Sequence, residues 1–203
     1  MTVYVFAATK GGVGKSTLAA CCGIAAMAEG ARVVMVDYDP QRSLSEWLGL
    51  RAGAKPELRT VERGASLKAT LKGIANDTVV IVDTPPGMVT IIEQAVMGAD
   101  LVVIPIRPAP LDILAIDPII ELVEEFKKPS VFVINQVPSR TTHAEDTAKL
   151  LKKDGPVLPS VVGFRNSFAM AMADGKTGPE KDAKAREEIA AVWSQLKLIA
   201  KKG

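Results

Sequence analysis

The sequence predicts an α/β fold, a mostly parallel, twisted sheet flanked by helices on both faces. Three observations carry that prediction. Short β-branched runs alternate with helical patterns along the chain, the mark of repeated strand–helix units. A glycine-rich loop, Thr9-Lys10-Gly11-Gly12-Val13-Gly14-Lys15-Ser16-Thr17, joins the first apolar run to the first helical one. Two later apolar runs, Arg32–Asp37 and Val79–Asp83, end in aspartate, and strand carboxyl ends form the ligand face of an open α/β sheet.

Taken in order, Val3 to Ala8 is the first strand and Leu18 to Glu29 a small-residue helix ended by Gly30. The loop between them has the strand–glycine–helix context of a phosphate-binding P-loop, which makes the fold a P-loop NTPase. Glycines let backbone N–H groups crowd around phosphate oxygens, and the helix N-terminus adds partial positive charge there. Lys15 is expected to reach the β- and γ-phosphates, and the Ser16 hydroxyl to hold Mg²⁺. Gly11, Gly12, Val13, Gly14 and Thr17 complete the nucleotide-binding segment. Cys21 and Cys22 are adjacent in that helix, cannot bridge each other in helical geometry, and are expected as small core-facing side chains.

The second strand delivers Asp37-Tyr38-Asp39-Pro40-Gln41 near the phosphates. A short helix from Ser43 to Leu48 follows, with Trp47 a packing residue. Arg51 to Lys72 then holds six basic residues (Arg51, Lys55, Arg59, Arg63, Lys68, Lys72) against Glu57 and Glu62. A solvated face is the default reading of such a run, and a DNA-facing patch its alternative. Val79–Asp83 has the Walker B form, whose carboxylate holds the Mg²⁺ shell, and Thr84-Pro85-Pro86-Gly87 is a stiff loop suited to sensing the γ-phosphate.

Leu101 to Pro105 is the next strand, followed by Arg107-Pro108-Ala109-Pro110. Asp112 is expected to cap one helix running to Phe126, with Ile116, Ile119, Ile120 and Val123 on one face. Ser130 to Ile134 is a strand tipped by Asn135, whose amide suits a purine edge as well as a turn. His143 opens a helix and has no assigned role. Phe168, Met170 and Met172 are expected to pack in an Ala-rich helix. One last helix, Pro179 to Lys202, carries the stripe Ile189, Val192, Trp193, Leu196 and Ile199.

At 203 residues, 48% hydrophobic and 24% charged, the chain is expected to form a single domain over residues 1–203 with a sizeable core. A formal net charge of +2 does not mark a nucleic-acid binder, so any basic surface is local. No signal-peptide pattern precedes the first strand, and no apolar run approaches the ~20 residues of a membrane span, so the expected location is cytoplasmic.

The run Lys10-Gly11-Gly12-Val13-Gly14-Lys15-Ser16 resembles the deviant Walker A motif of the ParA/MinD family of ATPases, with Thr9 where the usual P-loop pattern has glycine. Asp37–Gln41, Asp83–Gly87 and, more weakly, Gly175-Lys176-Thr177 extend the likeness over essentially the whole chain. It is closest to short ParA-type partition and positioning ATPases that lack an N-terminal DNA-binding extension. The resemblance implies an ATP- and Mg²⁺-dependent ATPase of slow intrinsic turnover. Its homodimer sandwiches two ATP molecules, with Lys10 crossing to the partner's phosphates. Asp39 would orient the attacking water, Ser16, Asp37 and Asp83 organise Mg²⁺, and Asn135 read adenine.

The resemblance further implies binding to non-specific DNA through basic residues near the chain's end, here Lys181, Lys184, Arg186, Lys197, Lys201 and Lys202. Hydrolysis would be stimulated by a ParB-like or analogous adaptor, and the ATP-bound state would be nucleoid-associated. The cargo stays open among plasmids, chromosomes, carboxysomes and chemosensory clusters. Stable membrane association is not expected, although a MinD-like membrane-cycling ATPase is the alternative. An iron–sulfur reductase of the nitrogenase type would need cysteines on loops, and a small-molecule kinase an acceptor site; neither can be read here.

Overall fold

The computed structural model describes residues 1–61 and 65–201. Glu62, Arg63 and Lys202, named above, lie outside the described residues. In chain order the elements are β1 (Thr2–Phe6), α1 (Lys15–Ala28), β2 (Val33–Asp37), α2 (Ser43–Leu50), β3 (Glu57–Thr60), α3 (Leu67–Thr70), β4 (Val79–Asp83) and α4 (Val89–Met97). They continue as β5 (Leu101–Ile106), α5 (Pro110–Ile113), α6 (Asp117–Glu125), β6 (Ser130–Ile134), α7 (His143–Leu151), α8 (Asn166–Ala173), α9 (Gly178–Lys181) and α10 (Ala183–Ala200).

The six strands form one sheet in the order β3-β2-β4-β1-β5-β6, and every pairing is parallel. Alternation along each strand divides the core in two. Val3, Val5, Val34 and Val36 face a cluster closed by Leu67, Ile92, Ile119 and Leu151 from α3, α4, α6 and α7. Tyr4, Phe6, Val33 and Met35 face the other, closed by Leu18, Leu44, Trp47 and Trp193 from α1, α2 and α10. Burying such large side chains stabilises each layer by roughly 1.5–3 kcal/mol per residue.

This two-sided layout positions the site. The chain leaves β1 onto one face through α1 and leaves β4, its neighbour, onto the other through α4. Connections that diverge from adjacent strands open a crevice at their carboxyl ends. Register brings Phe6 opposite Asp83 and Asp37 opposite Asp83, so the chain's two strand-terminal aspartates lie side by side at that crevice.

Several expectations need correction. The segment from Asp112 to Phe126 is two helices, and Asp112 lies within the first rather than capping a longer one. Pro118 in the first turn of α6 explains the break, because a proline has no N–H to donate to the carbonyl four residues earlier, here Leu114, and so cannot continue a helix from α5. The final helix is likewise divided at Asp182, whose carboxylate accepts hydrogen bonds from the N–H groups of Lys184 and Ala185 and starts α10 afresh. Met170 points to solvent, whereas Phe168 and Met172 pack as expected. Gly175-Lys176-Thr177 is a structural joint. Gly175 (φ +67) sits so close to the backbone of Leu50 and Arg51 that a Cβ would come within 2.4 Å of it, and the Lys176 carbonyl accepts the Trp47 indole N–H at 2.9 Å.

Candidate nucleotide site

The loop after β1 is shaped by two glycines in the left-handed region, Gly12 (φ +77) and Gly14 (φ +93). Gly14 has a second constraint, because a Cβ there would lie 2.3 Å from Nδ2 of Asn135. Gly14 is also the N-cap of α1 and offers no capping side chain. Helix α1 begins at Lys15, three residues before the expected start, so Lys15, Ser16 and Thr17 are its first turn. The free N–H groups of that turn point out of the helix end, where an anion is favoured.

Lys15 is buried, and its ammonium donates to the Lys10 carbonyl at 3.1 Å. Burial lowers its pKa, while the charges of Asp83 and Asp39 raise it. Asp83 is fully buried, and among the described residues neither carboxylate oxygen has a hydrogen-bond partner. Burial, joined by the charges of Asp37 and Asp39, pushes its pKa up to about 7 against the nearby Ser16 hydroxyl, which stands short of hydrogen-bonding geometry, and Lys15. An orphaned carboxylate of this kind is costly to a fold and is a functional signal when it faces a crevice.

Asp37 is differently placed. Oδ1 accepts the Asp39 N–H at 3.1 Å, and Oδ2 accepts the N–H and hydroxyl of Ser45 at 2.8 and 2.6 Å. Its carboxylate therefore fixes the loop that carries Asp39. Asp39 accepts the Gln41 N–H at 2.9 Å and borders a cleft of about 580 Å³ shared with Gly12, Lys15, Ser16, Thr17 and Pro86. Asn135 donates from Nδ2 to the Val13 carbonyl at 2.8 Å, and Gln136 donates to the Gly12 carbonyl at 2.8 Å. Both amides thus brace the loop from the end of β6. Beside them Asn135, Gly163, Phe164, Arg165 and Phe168 line a smaller pocket of about 150 Å³.

The residues fit a nucleotide with magnesium. Ser16 and the unpartnered Asp83 supply hard oxygen donors, and Lys15 and the α1 N-terminus supply positive charge for phosphates. Among the described residues no three His, Cys, Asp or Glu side chains converge as a metal cage. Magnesium held with phosphates takes only one or two protein carboxylates, so none is needed.

Two residues of the site were not among those expected. Arg107 reaches from the loop after β5 over the glycine loop, its Nη1 3.9 Å from where a Gly12 Cβ would stand. Asp112 is buried and takes ion pairs from both Lys10 and Arg107. An arginine set just before a proline at the end of a strand was the available signal for the first; spacing alone gave none for the second. The basic residues near the chain's end are spread out by contrast. Lys181 pairs with Asp174 at 3.7 Å, Lys197 with Glu29 at 2.5 Å, and Arg186 donates to the Pro179 carbonyl at 3.0 Å. Lys184 and Lys201 have no ion pair among the described residues.

Comparison with known proteins agrees with this geometry. Residues 4–178 match the family described as the CobQ/CobB/MinD/ParA nucleotide binding domain. A protein named ParA from Rhizobium radiobacter is 40% identical over 116 residues, 55% of this chain, and the match spans about half (51%) of that relative's length. The maintenance of carboxysome distribution protein A of Gloeobacter kilaueensis is 33% identical over 165 residues, covering 78% of this chain and 74% of its own. Among solved structures, the septum site-determining protein MinD of Pyrococcus horikoshii, complexed with Mg-ADP, superposes with a TM-score of 0.77. The superposition covers 96% of this chain and 95% of that one at 16% identity, a likeness of fold.

Proposed function

The chain belongs to the CobQ/CobB/MinD/ParA nucleotide-binding family, that of the ParA/MinD-type positioning ATPases, and from that premise we propose that it is a ParA-type ATPase. Two copies close over two ATP molecules, the dimer binds DNA without sequence preference, and an adaptor of the ParB kind ends that state by stimulating hydrolysis. Repeated over a nucleoid in the cytoplasm, the cycle segregates or positions a cargo. The chain acts as one domain throughout.

One observation carries the reading. Lys15 and Ser16 stand next to the unpartnered Asp83 at the head of the glycine loop, while Lys10, one-third exposed, lies at its rim. The chemistry follows from position. The first turn of α1 and Lys15 would hold the triphosphate, and Ser16 and Asp83 would hold the magnesium, with Asp37, opposite Asp83 in register and already bonded to Ser45 and the Asp39 N–H, helping to organise it. Bound magnesium offsets charge on the phosphate oxygens. Asp39, held by the loop that Asp37 anchors, orients the attacking water, and positioning of this kind is most of what phosphoryl transfer requires. The apolar side chains Met88, Val89, Leu111 and Leu114 are exposed beside this rim, and a second copy seated there removes them from water.

The low net charge leaves DNA binding to local basic residues, of which Lys184 and Lys201 are available without breaking an ion pair. Such binding weakens steeply with added salt. A membrane-cycling role would need an exposed amphipathic face on the last helix, and Trp193 and Leu196, which such a face would have to present, are buried in the core.

The test is sedimentation velocity with Mg-ATP on the unmodified chain and on Lys10→Ala. The expected result is an ATP-dependent dimer for the first. The second should stay monomeric while still binding ATP. A monomer in both cases refutes the sandwich and leaves a nucleotide binder of another kind.

A further inference from the structure

Asp112 belongs to neither the phosphate loop nor the strand-end carboxylates, yet it is the carboxylate on which the Lys10 ammonium rests. Its side chain is 1% exposed and accepts cations from two other segments. Arg107 engages it in bidentate fashion, Nε to Oδ2 at 2.5 Å and Nη2 to Oδ1 at 3.1 Å, while the Lys10 ammonium also sits on Oδ1. The neighbouring Thr9 hydroxyl donates to the Ala115 carbonyl at 2.6 Å. Residues 9 and 10 are thus tied at two points to the turn that carries Asp112.

The pairing is redundant. A buried carboxylate stripped of every partner would be strongly destabilising. With Arg107 in its bidentate place, however, Lys10 can leave and the carboxylate stays paired. Lys10 and Arg107 are each about one-third exposed, 33% and 34%, so the single contact of Lys10 against the bidentate hold of Arg107, and not exposure, makes Lys10 the releasable cation. The turn presents Leu111 and Leu114, 72% and 75% exposed, on either side of Asp112 in sequence. Contact on that turn and the position of Lys10 are therefore mechanically linked.

We propose that Asp112 is a positioning residue that holds Lys10 within its own subunit until the triphosphate of a second copy competes for the ammonium, with Arg107 remaining as the carboxylate's standing partner. The inference rests on the ATP-sandwich reading above and adds a condition to it. A γ-phosphate carries more negative charge than a carboxylate and can take the lysine from it, whereas a diphosphate presents no γ-phosphate at all. The device makes dimerisation conditional on triphosphate and suppresses pairing of empty or ADP-bound copies. Burial acts to raise the Asp112 carboxyl, and the hydrogen bonds from Arg107 and Lys10 outweigh it and keep the group ionised.

The experiment compares the unmodified chain with Asp112→Asn and Asp112→Glu. Amine acylation of nucleotide-free protein, read site by site in a mass spectrometer, should find Lys10 slow relative to Lys201. Asp112→Asn should speed Lys10 about tenfold without changing Lys201, and Asp112→Glu, which keeps the charge, should restore protection. In sedimentation, Asp112→Asn should need about tenfold less ATP for half-maximal dimer and should dimerise detectably with ADP. A carboxylate that is merely structural would lower the melting temperature and move neither readout. Equal Lys10 labelling in all three proteins overturns the proposal whatever the sedimentation shows. An unmodified chain that stays monomeric in saturating Mg-ATP overturns the sandwich reading instead, even if Lys10 labelling responds to Asp112.

Discussion

The strand-end face and the α10 side of the molecule handle charge in opposite ways. Around α10 the charges that pack against the rest of the fold are answered, while Lys184 and Lys201 stand exposed in solvent. Glu188 receives both Arg165 guanidinium nitrogens at 2.5 and 2.6 Å and the Gly163 N–H at 3.0 Å, and Glu29 receives the Trp193 indole N–H and Lys197. At the strand ends, charges are buried and left short of partners. Asp83 has none among the described residues, and Lys15 has one backbone carbonyl. A fold that needs only to hold together satisfies its polar groups, and one that awaits a ligand leaves some for the ligand to complete.

That contrast can be broken from its catalytic end first. Asp39 orients water rather than binding phosphate, so Asp39→Ala should cut adaptor-stimulated hydrolysis by about 10²–10³ and leave an ATP-bound dimer that persists on DNA. Phosphate release measured alongside sedimentation checks both parts, and turnover within about threefold of normal would remove Asp39 from the role. Next in size is Lys15→Ala, which takes the buried ammonium from the triphosphate. ATP affinity in calorimetry should fall at least a hundredfold, roughly 3 kcal/mol.

Asp83 tests the claim that the site is held against stability. Its folded pKa of about 7 stands above the ordinary 3.8, so the folded chain binds this proton more tightly than the unfolded one. Stability therefore falls as pH rises between those two values and stays at its lower level above about 7. The full penalty is at most on the order of 4 kcal/mol. In chelator, without nucleotide, Asp83→Asn should flatten this slope and raise the urea midpoint at pH 8. The same variant should lose magnesium-dependent hydrolysis. A midpoint at pH 8 that is unchanged or lower would mean the carboxylate is satisfied after all.

How much of this was legible in the sequence follows the same division. The nucleotide face is built from contiguous residues whose spacing encodes the geometry. The glycine loop announces a positive-φ turn, and an apolar strand ending in aspartate announces a carboxylate at a sheet end. The expected bounds of β4 and β6 match the observed ones residue for residue. What stayed hidden is long-range. Lys10 and Asp112 are 102 residues apart, and nothing local says that they meet. In sequence Asp112 looks like a helix cap because it precedes an apolar stripe. Pro118 and Asp182 carried signals of helix breaks, but continuous apolar stripes masked them. The basic residues of the last helix look free in sequence because their acidic partners, such as Glu29 for Lys197, lie far away along the chain.

The smallest effect is the sharpest probe of the α10 side. The Lys197–Glu29 pair is partly exposed, 33% and 50% for the two side chains, and exposed pairs contribute up to about 1 kcal/mol. Glu29→Gln, which keeps an acceptor for the Trp193 indole N–H, should therefore change the melting temperature by a few degrees at most and leave ATP affinity alone, since Glu29 caps the far end of α1 from the phosphate loop. It also frees the Lys197 ammonium. If α10 is the DNA face, one more lysine reaches a phosphate, so affinity for random-sequence DNA rises and the plot of log affinity against log salt steepens by about one. If affinity and slope do not move, Lys197 is off the contact surface, and its charge serves only to fasten α10 to α1. In that event the comparison with the strand-end face becomes stricter still, because the answered charges of α10 would have no other work than holding the fold.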